Sequence, residues 1–253
     1  MVTSVFGITT PAPPFAKMER EITNNLRMRV EALRKDISET AKRCGRDPSQ
    51  IRLMAVTKGV GSELILAASQ IGIEIFGENY VQEAVKKLTF VFENSNLNRK
   101  NFHFIGHLQK NKINKVIDYF GSIDSVDSFE LAESISNAAC KKNLNIDLMI
   151  EVKTSNEPTK FGLSNEEAVS LAEKIRELPY VNLTGLMTMA PLCASEEIIR
   201  ESFRSLYKTY NRIKNLYNLE LPYISMGMSD DYKIAIEEGS TMLRLGRAIF
   251  GRI

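Results

Sequence analysis

Short apolar segments alternate with longer amphipathic ones along almost the whole chain, and this alternation restricts the fold more than any other feature. The short segments are rich in residues that strands favour, and the longer ones carry apolar residues at helical spacing. Strands that alternate with helices form parallel sheets, because the chain must cross over the sheet before it adds the next parallel strand. The eight predicted strands are residues 52–57, 73–77, 102–106, 122–126, 146–152, 183–188, 223–226 and 242–245.

Eight βα units in 253 residues favour an α/β fold that is a single (β/α)8 TIM barrel, whose usual length is about 250 residues. A doubly wound open sheet has the same alternation, and the count of eight strands is what favours the barrel. Residues 17–43 form an extra N-terminal helix that we expect to plug or flank the barrel. The predicted organisation is a flexible extension over residues 1–16 and one barrel domain over residues 17–253.

Signals at the ends of the amphipathic segments agree with this assignment. Ser164 and Glu167 have the spacing of a capping box at a helix start. Gly72 and Gly239 stand where two helices should end. The predicted helices between the strands are residues 62–71, 80–92, 110–120, 129–142, 165–177 and 196–216.

Charge and cysteine content argue against several classes of partner. Lys and Arg number 33 against 31 Asp and Glu, so the balance gives no reason to expect nucleic acid or a membrane surface as partner. No apolar segment approaches the ~18 residues of a membrane helix. Cys44, Cys140 and Cys193 are odd in number and far apart, which predicts neither a disulfide framework nor a zinc site. We therefore expect a cytoplasmic protein, with organelle targeting by residues 1–16 as the open alternative.

Lys58 follows the first predicted strand in the segment IRLMAVTKGV, at the end where barrels collect their functional side chains. If the barrel mouth shields this lysine from water, its amine loses its proton more easily, and the neutral amine attacks aldehydes. The alternative is a lysine that only ends the strand and reaches solvent. This segment alone favours the second interpretation, because strand-ending lysines are common.

The last two predicted strands lie in the segment ISMGMSDDYKIAIEEGSTMLRLGRAIFG, at the place where barrels often bind a phosphate group. Ser229 offers a hydroxyl group there. Gly246 lets the backbone come close, so that its N–H group and that of Arg247 can point at an anion. Arg244 lies just before them. Residues 229–231 also fit the start of a helix, and both interpretations can hold because helix N-termini bind anions.

Four other polar residues are weaker candidates. His103 and His107 are four residues apart on one predicted strand, and we expect no carboxylate partner near them, so no metal site is predicted. Asn79 fits a site residue or the N-cap of the helix that begins at Tyr80. Lys160 fits a site residue or an ordinary loop charge.

The chain resembles the pyridoxal phosphate homeostasis protein family in a series of segments in order: AVTKGV, FGENYVQEA, HFIGHLQKNK, KTSNEPTKFGL, GLMTMA, SMGMSDDYKIAIEEGSTMLRLG and AIFG. These segments run from Arg52 to Gly251. The family in turn resembles the barrel domain of alanine racemase and of the eukaryotic-type ornithine decarboxylases, without their second β domain. The resemblance implies a protein that binds pyridoxal 5'-phosphate (PLP).

The resemblance also assigns roles to particular residues. It implies that Lys58 holds PLP as a Schiff base and that Ser229, Gly246 and Arg247 surround the phosphate group. Many relatives have proline at the position of Gly61. Glycine there loosens the turn after Lys58 without removing a cofactor-binding group.

Two further roles follow from the resemblance, and one of them bears on chemistry. Asn79 would lie beside the pyridine ring or its 3-hydroxyl group, and Arg244 would face the ring nitrogen. A guanidinium group only donates hydrogen bonds, so the ring nitrogen stays unprotonated and the cofactor is a weak electron sink.

The leading hypothesis is a PLP-binding protein of intracellular PLP homeostasis, which holds the cofactor as a protected imine without robust turnover. We expect no second catalytic domain after Phe250, which favours this hypothesis. We expect a monomer that hands PLP to PLP-dependent apo-enzymes. One alternative is a PLP-dependent amino-acid racemase that uses Lys58 and His103 as its acid/base pair. The other is a lysine aldolase that acts on a sugar phosphate without a cofactor.

Overall fold

The computed structural model describes residues 14–154 and 161–251. Eight parallel strands form a closed barrel in which each strand pairs with the next and the eighth pairs with the first. The predicted (β/α)8 barrel is confirmed, and the open-sheet alternative is wrong. The strands are β1 (Arg52–Val56), β2 (Ile75–Glu78), β3 (Phe102–Phe104), β4 (Ser122–Val126), β5 (Ile146–Glu151), β6 (Val181–Met187), β7 (Tyr223–Ser225) and β8 (Met242–Leu245).

Helices follow the strands around the outside of the barrel. In the described part of the chain, no helix has both the length and the apolar character needed to cross a membrane. The helices are α1 (Pro14–Arg43), α2 (Ser62–Gln70), α3 (Val81–Glu93), α4 (Ile113–Tyr119), α5 (Phe129–Lys142), α6 (Asn165–Ile175), α7 (Glu196–Tyr217), α8 (Tyr232–Glu237) and α9 (Arg247–Phe250).

The predicted elements are confirmed, and the differences lie at their ends. The helix predicted from residue 110 is divided into a 3-10 turn, Lys110–Lys112, and α4. β2 begins at Ile75 rather than at residue 73, because the N–H group of Ile73 bonds to the carbonyl oxygen of Ala68 (3.1 Å) and closes the end of α2. The sequence pattern does not predict α9, since four residues are too few to show helical periodicity.

The predicted signals at helix ends are confirmed. Glu167 donates its N–H group to Ser164 Oγ (3.3 Å), and Ser164 donates its N–H group to Glu167 Oε2 (2.8 Å). This reciprocal pair is a capping box at the start of α6. Gly72 (φ +82°) and Gly239 (φ +103°) follow α2 and α8 in the left-handed region, which glycine adopts without a steric penalty.

Helix α1 packs against α2, α8 and α9, so it flanks the barrel and does not plug it. Its inward positions recur every three or four residues, as an amphipathic helix requires. The buried side chains on α1 are Leu26, Val30, Leu33, Ile37, Thr40 and Ala41. The helix begins at Pro14; residues 1–13 lie outside the described residues, so the flexible extension stays a prediction.

Polar side chains are buried at the C-terminal ends of the strands. Apolar residues, among them a cluster of Met54, Met149 and Met242, fill other parts of the interior. Buried polar groups need partners, and barrels place their functional sites at this end of the strands, so these residues indicate where a site would lie. The buried polar residues at or just after strand ends are Thr57, Glu78, Glu151, Thr188 and Ser225.

We expect Leu26→Ala to lower the free energy of unfolding by about 2–5 kcal/mol, because it opens a cavity between α1 and the barrel helices. Leu26 is 4% exposed, whereas Met28 on the same helix is 69% exposed. Met28→Ala is therefore the matched control, with an expected change within about 0.5 kcal/mol. Urea denaturation measures both. Equal effects of the two substitutions would show that α1 does not pack as described.

Candidate functional site

A cavity of about 510 Å³ opens among the C-terminal strand ends of the barrel. Its walls come mainly from the segments after β1, β2, β6, β7 and β8. Six of the residues that the sequence indicates as a site line this cavity, although their roles toward a cofactor stay predictions. They are Lys58, Asn79, Ser229, Arg244, Gly246 and Arg247.

Lys58 lies in a β-turn just beyond the end of β1. The N–H group of Val60 donates to the carbonyl oxygen of Thr57 (3.0 Å), and Gly59 at the third position has φ +73°. A positive φ at this position is the mark of a type II turn. Lys58 lines the cavity but is exposed, so the expectation that the barrel mouth shields it from water is wrong. The turn carries the side chain past the strand end, to the open side of the cavity.

Arg244 is a buried cation at the base of the cavity. It is 4% exposed and donates hydrogen bonds to Ser225 Oγ (2.8 Å) and to the carbonyl oxygen of Thr188 (2.7 Å). Burial lowers the pKa of its guanidinium group, and the charges of Asp124, Asp231 and Glu151 oppose this shift. A guanidinium pKa starts so high that the group stays protonated at neutral pH. The cavity therefore contains one buried permanent positive charge.

Ser229, Gly246 and Arg247 meet where the segment after β7 touches the start of α9. Ser229 Oγ accepts a hydrogen bond from the N–H group of Ala248 (3.2 Å), and Arg247 forms an ion pair with Asp230. Ser229 therefore does not cap α8, whose N-cap residue is Asp231. The interpretation of residues 229–231 as an ordinary capped helix start is wrong in this detail, because the serine hydroxyl joins the two loops.

The carboxylate of Asp231 is bonded to the loop between β7 and α8, which also contains Ser229. It accepts a hydrogen bond from the N–H group of Met228 (2.5 Å). Burial raises its pKa, and the bond from Met228 together with the charge of Arg244 opposes that shift. Asp231 thus stabilises the loop that carries Ser229.

Asn79 follows β2 and has an unsatisfied polar atom. Its Oδ1 atom is buried without a hydrogen-bond partner in the structure. The alternative role as N-cap is wrong, because α3 begins at Val81 with Tyr80 at the N-cap position. A Cβ atom at Gly106 would lie 2.2 Å from the carbonyl oxygen of Asn79, so only glycine allows this close approach. A buried acceptor without a donor is costly unless a ligand or water supplies one.

The two histidines do have carboxylate partners, contrary to the sequence-based expectation. His103 Nδ1 lies 2.9 Å from Asp124 Oδ2, and His107 Nδ1 lies 3.6 Å from Asp127 Oδ2. The partners belong to the next βα unit, which parallel pairing of β3 with β4 brings alongside. Within the described residues, no group of three or more potential ligands could hold a metal ion.

The position of His103 bears on the racemase alternative. His103 is buried on β3, bonds to Asp124 and does not line the cavity, whereas His107 lies beyond the strand and stacks on Phe161 (4.0 Å between ring centroids). The acid/base pair proposed from the sequence is therefore not assembled. Lys160 lies outside the described residues.

Sequence reasoning missed the apolar wall of the cavity. This wall comes from the segment GLMTMAPLCA, which begins in the sixth predicted strand and continues beyond its end. Such a wall gives a flat ligand a surface on which to pack. A continuous apolar segment that runs past a strand end was the available signal. The wall residues are Met187, Met189, Pro191, Leu192, Cys193 and Ala194.

Sequence reasoning also missed Glu151, the last residue of β5. Burial raises the pKa of Glu151 to about 7, with Asp127 acting in the same direction and Arg244 in the opposite one. Its carboxyl group therefore loses its proton near neutral pH, close to a permanent cation.

Comparison with known proteins identifies the family. Residues 28–253 match the family model described as alanine racemase, N-terminal domain. The chain is 37% identical over 223 residues to the pyridoxal phosphate homeostasis protein of Aquifex aeolicus, covering 88% of this chain and 96% of that relative. The chain belongs to the pyridoxal phosphate homeostasis protein family. The resemblance seen in the sequence is confirmed.

Solved structures agree with membership of this family. PipY of Synechococcus elongatus PCC7942 with PLP bound has a TM-score of 0.78 and 30% identity, covering 89% of this chain and all of that chain (100%). Alanine racemase of Clostridium difficile 630 has a TM-score of 0.70 at 16% identity, covering 91% of this chain and 57% of that chain. The second similarity is one of fold alone.

We expect Glu151→Gln to change the pH dependence of stability. The carboxyl keeps its proton up to about pH 7 when folded, against an ordinary pKa of 4.5. The wild-type free energy of unfolding therefore falls, relative to the glutamine variant, as pH rises from about 4.5 to about 7. The difference reaches roughly 3 kcal/mol at most.

Urea denaturation between pH 4.5 and pH 8 measures this difference. Glu130→Gln, at an exposed glutamate, is the matched control. A difference between Glu151→Gln and wild type that does not vary with pH would contradict the raised pKa of Glu151.

Proposed function

We propose that this protein binds pyridoxal 5'-phosphate as a Schiff base on Lys58 and acts in intracellular PLP homeostasis, without robust catalytic turnover. One observation carries the proposal: a lysine and an anion-binding set from opposite ends of the chain line the same cavity. Family membership supports the choice of ligand, since PipY is a relative with PLP bound.

The residues present fit a phosphorylated ligand. Ser229 supplies a hydroxyl group, Arg247 supplies a cation, and the backbone at Gly246 can come close to an anion. Gly246 lies so near β1 that a Cβ atom would be 3.3 Å from the carbonyl oxygen of Val56. Arg247 pairs with Asp230 in the structure, so a phosphate would compete with this exposed carboxylate for the guanidinium group.

The rest of the cavity fits a flat polar ring. The buried Oδ1 atom of Asn79 needs a donor, and the wall from Met187 to Ala194 is largely apolar. A volume of about 510 Å³ lies in the range of small-molecule sites. Asn79 and Arg244 would then orient the ligand from two sides.

Lys58 carries the covalent step. The amine of Lys58 would condense with the aldehyde group of the cofactor, so that a C=N bond would replace the C=O bond and one water molecule would leave. The bound cofactor supplies a protected aldehyde. Arg244 only donates hydrogen bonds, so it favours an unprotonated ring nitrogen and does not support carbanion chemistry. This combination suits storage of the cofactor better than turnover of a substrate.

The remaining parts of the proposal concern partners and location. We propose PLP-dependent apo-enzymes as recipients of the cofactor, a monomeric state and a cytoplasmic location. The balanced charge, 33 basic against 31 acidic residues, supports a protein that does not bind nucleic acid.

We expect borohydride reduction of the PLP-loaded protein to attach about one cofactor per chain, on the peptide that contains Lys58. Reduction adds hydrogen across the C=N bond and makes the link permanent, so peptide mass spectrometry can locate it. Lys58→Ala should remove the imine absorbance, and Lys86→Met is the control. A label on a different lysine, or an unchanged absorbance in Lys58→Ala, would disprove the assignment. A protein that takes up no aldehyde and cleaves a sugar phosphate would support the aldolase alternative.

We expect the PLP-loaded protein to exchange the α-proton of alanine in deuterated water no faster than free PLP does. The reason is the weak electron sink beside Arg244 and the absence of His103 from the cavity lining. NMR follows the loss of the α-proton signal. Exchange at about 1 s⁻¹ or faster, which is an ordinary enzymatic rate, would establish the racemase alternative. His103→Gln then shows whether that activity uses His103.

A further inference from the structure

The turn that carries Lys58 is bonded to helix α3 through Lys87. The ammonium group of Lys87 donates to the carbonyl oxygens of Thr57 (2.6 Å) and Val60 (3.3 Å). These are the first and last residues of the turn. The same carbonyl of Thr57 accepts the hydrogen bond that closes the turn, from the N–H group of Val60 (3.0 Å).

Two glutamates complete this cluster. Glu83 accepts a hydrogen bond from the N–H group of Gly59 (2.7 Å) and pairs with Lys87 (2.8 Å). Glu78 pairs with Lys87 (2.7 Å) and accepts a hydrogen bond from the hydroxyl group of Thr57. Three residues of the turn, Thr57, Gly59 and Val60, are therefore held by charged side chains on either side of Lys58.

The cluster is too buried to be explained as surface charge. Lys87 and Glu78 are both buried, and Glu78 Oε2 has no hydrogen-bond partner. Burial raises the pKa of Glu78, and Lys87 opposes this shift. A buried ion pair with an unsatisfied oxygen is a weak source of stability, and such pairs are better explained by the geometry that they specify.

The residue that follows the turn adds no stiffness of its own. Gly61, which follows it, places no restriction on the backbone, although its φ of −71° is one that proline could adopt. The bonds from Lys87 and Glu83 of α3 are therefore a constraint on the part of the turn that flanks Lys58.

We infer that Lys87, held by Glu78 and Glu83, is a positioning residue that fixes the turn and so directs the amine of Lys58 into the cavity. The part of the inference that concerns the amine of Lys58 rests on the proposed function. The part that concerns the rigidity of the turn does not. Lys87 itself does not compete for an aldehyde, because its ammonium group is buried and surrounded by four acceptors within 3.3 Å.

The first test uses the protein without cofactor. Hydrogen exchange of the amides of Gly59 and Val60 should become at least tenfold faster in Lys87→Met, because their acceptors, Glu83 and the carbonyl group of Thr57, lose the ammonium group that holds them in place. Lys86→Met removes the exposed neighbouring lysine on the same helix and should leave these amides unchanged. The amide of Ile65, at the start of α2, reports whether any increase is confined to the turn.

The second test uses PLP. The rate constant for imine formation on Lys58, followed by stopped-flow absorbance, should fall at least tenfold in Lys87→Met and less than twofold in Lys86→Met. Gly61→Pro, added to Lys87→Met, should restore part of the rate, because it stiffens the turn without restoring a charge. A purely electrostatic role of Lys87 would not be rescued by proline.

The outcomes separate this inference from the proposed function. Unchanged exchange of Gly59 and Val60 in Lys87→Met, or imine formation at the wild-type rate, would overturn the positioning role. A wild-type protein that forms no imine on Lys58 would overturn the proposed function. The hydrogen-exchange experiment would still test whether Lys87 makes the turn rigid. If Lys87→Met does not fold, Glu83→Ala replaces it, since Glu83 is partly exposed and holds the N–H group of Gly59. Its expected effect has the same direction and a smaller size.

Discussion

The pairing of β8 with β1 is the constraint on which the whole site depends. Met54 pairs with Arg244 and Ala55 with Leu245, so the chain leaves both strands side by side. This adjacency places Lys58 and Gly246 at the same rim of the barrel, although the two residues lie near opposite ends of the amino-acid sequence. In an open sheet with the same elements, hydrogen bonds would not have to join the first strand to the last.

Arg244 shows how the barrel keeps a positive charge buried and still available. Its two observed hydrogen bonds go to neutral oxygens, of Ser225 and Thr188, and use only part of its donor capacity. Asp124, Glu151 and Asp231 act on it from a greater distance. Carboxylates at this distance reduce the electrostatic penalty of burial without covering the guanidinium group. The same balance explains why Glu151 titrates near neutral pH.

Sequence reasoning located the site residues that stand at the end of a strand. It failed for residues whose hydrogen-bond partner lies in another βα unit. Lys58 and Gly246 each follow an apolar strand, and strand ends share one face of a barrel. His103 seemed to lack a carboxylate, because Asp124 reaches it only through the register of β3 and β4. Lys87 is one of several charged residues on α3, and only the folded structure shows that it is buried under the Lys58 turn and bonded to it.

Local periodicity, backbone preferences and the order of motifs are enough to predict the succession of strands and helices, the helix ends at Ser164, Gly72 and Gly239, and the family. Only the tertiary structure decided that Lys58 is exposed, that Asn79 Oδ1 lacks a donor and that Lys87 holds the turn. The physical reason is that burial and hydrogen-bond satisfaction belong to pairs of residues distant along the chain. Closing the barrel brings those pairs together.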